Sequence, residues 1–156
     1  GACAACSTWQ NLRLQWTTRF NLAILSEKCA KKLIFGGYEK ALQCHVDTIG
    51  FDIPCSECWV ADEECAIQYC SFIQMQAWII NNLGNFEVGP DVVTAAMCEE
   101  AICEFAFVPC SGANRRRMNI VSDISRPGTQ QCSKLVPNGN EKWDGLFGPP
   151  DPPIGN

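Results

Sequence analysis

The sequence predicts an all-α, disulfide-rich helical bundle, and three observations lead to this prediction. Apolar residues recur at helical spacing along most of the 156-residue chain, and no run of alternating apolar and polar residues indicates a strand. Twelve cysteines, an even number, lie between Cys3 and Cys132. Six of these cysteines form two groups whose spacings mirror each other, as two antiparallel helices joined by a turn would require.

The bulk composition is that of one globular domain. Apolar residues make up 47% of the chain and charged residues 19%. The longest apolar run, residues 72–80, is interrupted by Gln74 and Gln76 and is too short to span a bilayer. A net charge of −5 without a basic stripe argues against nucleic acid as a partner. The chain begins at Gly1 rather than Met, and we expect a mature chain from which a targeting segment has been removed.

The N-terminal part predicts one long helix over residues 7–35 and a short one over 38–46. Ser7 or Thr8 can cap the first helix, and Gly36 with Gly37 ends it. Its apolar face predicts a set of core residues at steps of three or four, namely Trp9, Leu12, Trp16, Phe20 and Ile24.

The central part predicts a helical hairpin with arms at about 57–82 and 91–107. Ser56 can cap the first arm, and Asp91 after Pro90 can cap the second. The segment between the arms is rich in Asn and Gly, as turns are, and Pro109 is expected to end the second arm. A further short helix is predicted over residues 113–124.

The mirrored cysteines predict three disulfides that cross this hairpin. Each pair is centred on Gly84, inside the predicted turn, and equal rise along two antiparallel helices keeps paired cysteines level. The seven-residue steps keep two pairs on one helix face, whereas the five-residue step turns the third pair away by about 140°. The third pair therefore needs a helix crossing, a distortion or other partners. The proposed pairs are Cys58–Cys110, Cys65–Cys103 and Cys70–Cys98.

The remaining six cysteines are expected to form disulfides whose connectivity stays open. Zinc is the main alternative for so many thiols, but the chain has a single histidine, His45, and no metal site is predicted. Six disulfides account for every cysteine and indicate an oxidising compartment, either extracellular or an organelle lumen. The six are Cys3, Cys6, Cys29, Cys44, Cys55 and Cys132.

The C-terminal residues 137–156 have a different composition, so we divide the chain into a helical domain, 1–136, and an extended tail. Five prolines and four glycines in twenty residues cannot form a packed core alone. Four apolar side chains are expected to anchor the tail, either to the chain's own body or to a partner: Trp143, Leu146, Phe147 and Ile154.

Candidate chemistry is sparse. Cys55 and Cys58 form a CxxC that could serve thiol–disulfide exchange, although the βαβ context of such motifs is missing. His45 has no evident partner and is expected at a helix surface or end. The carboxylates of 62–64 and 99–100 are expected to be solvated and to lie at different levels of the hairpin. These features predict no cofactor and no enzyme activity.

The only basic concentration consists of Arg115, Arg116 and Arg117. It could dock an acidic partner, but the favoured interpretation is a solvated turn that balances the chain's own carboxylates.

Residues 54–126, with "PCSECWVADEECAIQYC" and "CEEAICEFAFVPCSGANRRR", resemble uncharacterised short cysteine-rich proteins of algae that are exported or sent to plastids. The resemblance implies an oxidising destination, such as a thylakoid lumen. That group has no assigned activity, so the resemblance transfers no functional residue.

Three functional hypotheses follow. The first is a non-catalytic structural or accessory subunit that contacts other protein chains through its tail and exposed aromatic residues. The second is a secreted carrier of a small apolar ligand, which requires a cavity of several hundred Å³. The third is a redox protein that uses Cys55 and Cys58.

Overall fold

A computed structural model describes residues 4–84, 97–115, 118, 120 and 139–154. Within these ranges all regular elements are helical, which confirms the predicted all-α class. A 3₁₀ turn, Ala5–Ser7, and a π-helical turn, His45–Ile49, accompany seven α-helical segments. The α-helical segments are α1 Trp9–Thr17, α2 Leu22–Gly36, α3 Tyr38–Cys44, α4 Ile53–Gly84, α5 97–102, α6 Glu104–Ser111 and α7 Gly139–Phe147.

The predicted single helix over 7–35 is wrong, because the chain breaks between α1 and α2. Thr18 turns its hydroxyl back onto the Leu14 carbonyl at 2.6 Å, a local bond that competes with helix continuation. The Thr17 carbonyl, freed by the break, accepts a hydrogen bond from the backbone N–H of Asp151 in the tail. The C-terminal segment therefore contacts backbone groups that an uninterrupted helix would have used.

The N-cap of α1 and the glycine stop after α2 are as predicted. The Thr8 side chain accepts from the Asn11 backbone N–H, and Gly37, with a φ of 81°, follows the last residue of α2. The cap of α4 differs from the prediction. Asp52, not Ser56, accepts from the Cys55 backbone N–H at 3.0 Å, so α4 starts at Ile53 with Pro54 in its first turn, where proline is tolerated.

The N-terminal core forms where α1, α2 and the π-helical turn meet the start of α4. Leu14, Leu25 and Trp59 pack around its centre. Trp16 is buried elsewhere, in a second cluster, but Trp9 is 61% exposed and Ile24 is also exposed. The predicted apolar face is therefore only partly in the core. The fully enclosed cluster consists of Cys6, Leu22, Ile49, Phe51 and Cys55.

All three predicted rungs of the hairpin are present. The Cα atoms are 5.7 Å apart in Cys58–Cys110, 5.8 Å in Cys65–Cys103 and 5.9 Å in Cys70–Cys98. The second arm is interrupted at Cys103, between α5 and α6. This interruption is the distortion that the third rung required.

The limits of the second arm differ from the prediction. Pro109 lies inside α6 rather than ending the arm. Residues 91–96 and the turn after Gly84 lie outside the described residues, as does most of the helix predicted over 113–124.

Two further disulfides join the N-terminal helices to each other and to the hairpin. Cys6 bonds Cys55, which links the first turn of the chain to the start of α4. Cys29 bonds Cys44, which links α2 to α3. Cys3 and Cys132 lie outside the described residues.

The C-terminal tail is not simply extended, as the sequence predicted, because α7 occupies Gly139–Phe147. Its Trp143 is buried against Trp16 and Ile120. Beyond α7 the chain is extended and runs along the break between α1 and α2. There the Trp16 indole donates to the Gly148 carbonyl at 2.7 Å. The tail is thus bound to the protein's own body.

Candidate functional site

The most unusual surface of the molecule is the outward side of the second hairpin arm, which we call the outer face. Phe105 is 90% exposed, and Ile102 one turn earlier is also exposed. Apart from Glu104 at its start, α6 has no charged residue. A helix that is apolar on nearly all sides is normally covered on all sides. The outer face consists of Ala101, Ile102, Phe105, Ala106, Pro109 and Cys110, all exposed.

Carboxylates flank this apolar surface. Glu57 and Glu64, seven residues apart on α4, are exposed on one side of that helix. Ala61 lies between them and lines a small cavity together with Ala106, so the exposed sides of α4 and α6 meet there. Residues 41–114 carry eleven of the seventeen carboxylates in the chain and none of its twelve Lys and Arg residues. The outer face is therefore an apolar strip on a strongly acidic hairpin.

Beneath the outer face lies a pair of hydrogen-bonded carboxyl groups, Asp62 on α4 and Glu99 on α5. Burial, together with the neighbouring carboxyl groups of Glu99, Glu63 and Glu104, raises the pKa of Asp62 to about 8. Burial also raises the pKa of Glu99. Two adjacent carboxyl groups with raised pKa values hold a proton at neutral pH. The prediction that the two clusters are solvated and lie at different levels of the hairpin is therefore wrong for Asp62 and Glu99, whereas Glu64 is exposed as predicted.

The surroundings of Asp62 leave little room for a substrate. Asp62 lines a cavity of about 60 Å³ that is bounded by the disulfides Cys58–Cys110 and Cys65–Cys103 and by the Phe107 ring. Ligand sites usually have a volume of several hundred Å³. Its Oδ1 atom is buried and has no hydrogen-bond partner among the described residues. The geometry is that of a buried structural pair rather than of an accessible acid–base site.

A second buried polar group centres on His45, which is 0% exposed. His45 follows the last residue of α3, so the predicted helix end is confirmed and the predicted helix surface is wrong. Its Nε2 lies 2.8 Å from Glu63 Oε1, and the same oxygen accepts a hydrogen bond from the Ser26 hydroxyl at 2.7 Å. Glu63 lies between the other two side chains, so His45 is not placed to take the proton of the Ser26 hydroxyl. This arrangement joins α2, the π-helical turn and α4, and it does not form a nucleophilic triad.

The CxxC cysteines are not bonded to each other. Cys55 is joined to Cys6 and Cys58 to Cys110, and Cys55 and Cys58 are both buried. The exchangeable disulfide within a CxxC motif that thiol–disulfide exchange requires is therefore not formed.

The residues predicted to bind a partner fall into three groups. Trp143 is 7% exposed, and its indole donates to the Met118 carbonyl at 2.9 Å, so it packs inside the chain. Phe147 stacks on Trp143 and contacts the Trp9 ring at a centroid distance of 4.7 Å. Leu146 and Ile154 are exposed.

The basic concentration predicted at 115–117 is described only at its first residue. Arg115 donates a hydrogen bond to the Arg19 carbonyl. Its positive charge partly offsets the rise in the pKa of Glu99 that burial causes. Arg115 therefore lies near the chain's own carboxylates, which the favoured interpretation requires. Arg116 and Arg117 lie outside the described residues.

A shallow groove of about 380 Å³ lies between α2 and α3. Lys32 and Phe35 line it from α2, and Lys40 and Gln43 from α3. We call it the basic groove. The groove is open to solvent, whereas a carrier of an apolar ligand would enclose its cargo.

Sequence reasoning missed the outer face and both buried polar groups. The absence of Lys and Arg from residues 41–114 would have indicated the acidic hairpin. The segment "ICEFAFVPC" would have indicated a helix without a solvated side. The contact between Asp62 and Glu99 has no sequence signal, because it depends on how the second arm is interrupted at Cys103.

The chain belongs to the family of unknown function DUF8771, which matches residues 38–134, more than half of the chain. The match includes residues 54–126 and carries no information on organism or compartment. No curated protein and no solved structure matches the chain.

The five disulfides indicate an oxidising compartment. Among the described residues, no helix has both the length and the apolar character needed to cross a membrane.

Proposed function

We propose that this protein is a non-catalytic structural subunit of a larger assembly in an oxidising compartment, extracellular or lumenal, and that it contacts other protein chains through the outer face. The observation that carries the proposal is the near-complete exposure of Phe105 on a helix without a polar side. Single exposed apolar residues are ordinary, but a continuous apolar strip indicates a contact surface.

The disulfides support a rigid scaffold. Three rungs hold α4 against α5 and α6, so the hairpin keeps its shape without burying the outer face. Each disulfide contributes roughly 2–4 kcal/mol to stability. A chain stabilised in this way can leave apolar side chains on the surface for a partner.

The proposal assigns the contact to a different surface from the tail. Trp143 and Phe147 are occupied by Trp9, Trp16 and Met118 within the same chain. The tail therefore acts as an internal clasp, and the second hairpin arm takes over the docking role. One assembly that would fit the proposal is an algal photosynthetic complex, which the protein would contact on its lumenal, oxidising side.

The test uses the tagged chain expressed in its source cells and isolated under non-reducing conditions. We expect the wild type to elute together with other protein chains, in a fixed stoichiometry, as a particle larger than the 17.2 kDa of the chain alone. The double variant Ile102→Ser, Phe105→Ser should leave that particle and elute as a free chain. Phe72→Ser, which changes another exposed phenylalanine on α4, is the matched control and should remain in the particle. Wild-type protein that elutes as a free chain would refute the proposal.

A further inference from the structure

Two exposed surfaces of the chain are complementary to each other. The first, which we call the acidic surface, combines the outer face with Glu57 and Glu64 on α4. The second is the basic groove, lined by Lys32, Lys40 and the Phe35 ring. Asp47 also lines the groove and accepts a hydrogen bond from the Gln43 side chain, so the two lysines leave the lining with a net positive charge. The acidic surface is an apolar strip flanked by carboxylates, whereas the basic groove is partly apolar and flanked by lysines. Complementary surfaces of this kind determine which partners associate and in which orientation.

The basic groove has an exposed aromatic wall and a flat floor. Phe35 is 87% exposed at the end of α2. Gly36 forms the floor, since a Cβ at this position would lie 2.5 Å from the Lys40 side chain that crosses it. A groove of about 380 Å³ can admit an aromatic ring with the backbone turn that carries it.

A single chain cannot bring its own two surfaces together. Lys40 and Gln43 lie on one side of α3, whereas Tyr38 is about 200° round the same helix from Lys40. Burial raises the pKa of the Tyr38 hydroxyl, and the charges of Glu57 and Glu64 raise it further, which places both carboxylates near Tyr38. The acidic surface and the basic groove therefore lie on different sides of α3.

We propose that copies of this chain associate head to tail, with Phe105 of one copy in the basic groove of the next and with Glu57 and Glu64 facing Lys32 and Lys40. The inference rests on the proposed function, because it names a second copy as the partner of the outer face. The contact joins two different surfaces, so it produces rings or open rows rather than a symmetric pair.

The experiment is sedimentation velocity on the purified, oxidised chain from micromolar to near-millimolar concentration. We expect the average mass to rise above 17.2 kDa with concentration and to fall on addition of salt, which screens the charged contacts. Phe105→Ser and Phe35→Ser should each weaken association by roughly tenfold or more, and Phe72→Ser should not. A wild-type chain that stays monomeric at every concentration would overturn the inference, while the proposed function would remain open to another partner.

Charge reversal tests the head-to-tail arrangement. One variant carries Lys32→Glu with Lys40→Glu, and the other carries Glu57→Lys with Glu64→Lys. Each alone should be monomeric, and an equimolar mixture should associate again into alternating rows or rings, because both contacts between unlike variants join an acidic surface to a basic one. If Phe105→Ser abolishes association but the charge reversals leave it unchanged, the outer face pairs with itself and the head-to-tail arrangement is refuted. Circular dichroism on each variant establishes that it is folded.

Discussion

The hairpin and the C-terminal tail are held in place in opposite ways. Three disulfides fix α4 against α5 and α6, and the hairpin leaves Phe105 exposed while it encloses the carboxyl pair of Asp62 and Glu99. The tail contains no cysteine, since the last one in the chain is Cys132. It is held by the burial of Trp143 and by hydrogen bonds to α1 and to the break after α1.

This difference shows what covalent bracing permits. A segment that is stable only by burial must bury at least one large apolar side chain, as the tail buries Trp143 while Leu146 and Ile154 stay exposed. A segment held by disulfides can keep both an apolar surface and buried carboxyl groups, which would otherwise be costly. The hairpin therefore tolerates the free-energy cost of an exposed apolar face and of a buried acid pair. The described part of the tail contains neither feature.

The largest effect is expected from removing a disulfide. Replacing both Cys58 and Cys110 with Ala leaves the two inner rungs in place, so it opens an effective loop of roughly 16 residues and should lower the free energy of unfolding by about 3 kcal/mol. The same change at Cys29 and Cys44, which enclose a loop of similar length, should cost about as much. Denaturant unfolding measures both values. Equal stability of the wild type and the Cys58/Cys110 variant would show that burial and the two inner rungs alone hold the hairpin.

Truncating the tail anchor should give the next largest effect. Trp143→Ala removes a buried ring that contacts Trp16 and Ile120, and we expect a loss of about 3 kcal/mol with release of residues 148–154. Leu146→Ala, three residues away and exposed, is the matched control and should change stability by less than about 0.5 kcal/mol. Hydrogen exchange at Asp151, whose N–H bonds the Thr17 carbonyl, reports the release directly. Unchanged protection there in Trp143→Ala would contradict the clasp.

The buried carboxyl pair predicts an unusual pH dependence. The pKa of Asp62 is raised from 3.8 to about 8 in the folded chain, so between these values the folded state holds a proton that the unfolded state has released. Stability should fall as pH rises through this window and level off above it. Asp62→Asn should weaken the dependence, leaving the part that the raised pKa of Glu99 contributes, and should be more stable than the wild type above pH 8 by roughly 1–3 kcal/mol.

Thermal unfolding at intervals from pH 4 to pH 9 measures this effect. Glu64→Gln, an exposed carboxylate two residues away, is the control and should keep the wild-type profile. A wild type whose stability rises steadily across the window would contradict the raised pKa of Asp62.

The smallest effect on folding is expected at the outer face. Phe105→Ser changes a side chain that is 90% exposed, so the free energy of unfolding of the monomer should change by less than about 0.5 kcal/mol. The same residue change at buried Phe51 should cost about 3 kcal/mol or more. A large loss of stability in Phe105→Ser, measured where the chain is monomeric, would mean that Phe105 packs within its own chain.

The mirrored cysteines were the most informative part of the sequence. They predicted all three rungs, because rise per residue is fixed in any α-helix and the cysteine positions alone then determine which pairs lie level. The glycine stop of α2 at Gly36 and Gly37 was also predictable, as was the Thr8 cap, since both act on the backbone within a few residues.

The polar interior could not be predicted in the same way. His45 and Glu63 lie eighteen residues apart on different elements, and their contact requires the π-helical turn. The capping role of Asp52 rather than Ser56 was decided by where α4 begins, which follows from its neighbours as well as from local preference.

The sequence by itself determined the helical class, the hairpin and its disulfides, because helical periodicity and cysteine spacing are local and geometric. Only the tertiary structure decided that Trp143 is an internal anchor, that the chain breaks after Thr17, and that Phe105 is exposed among the described residues. These outcomes depend on contacts between residues far apart in sequence, such as Trp16 with Gly148, and such contacts leave no periodic signal. Burial is a property of the packed molecule, whereas spacing is a property of the chain.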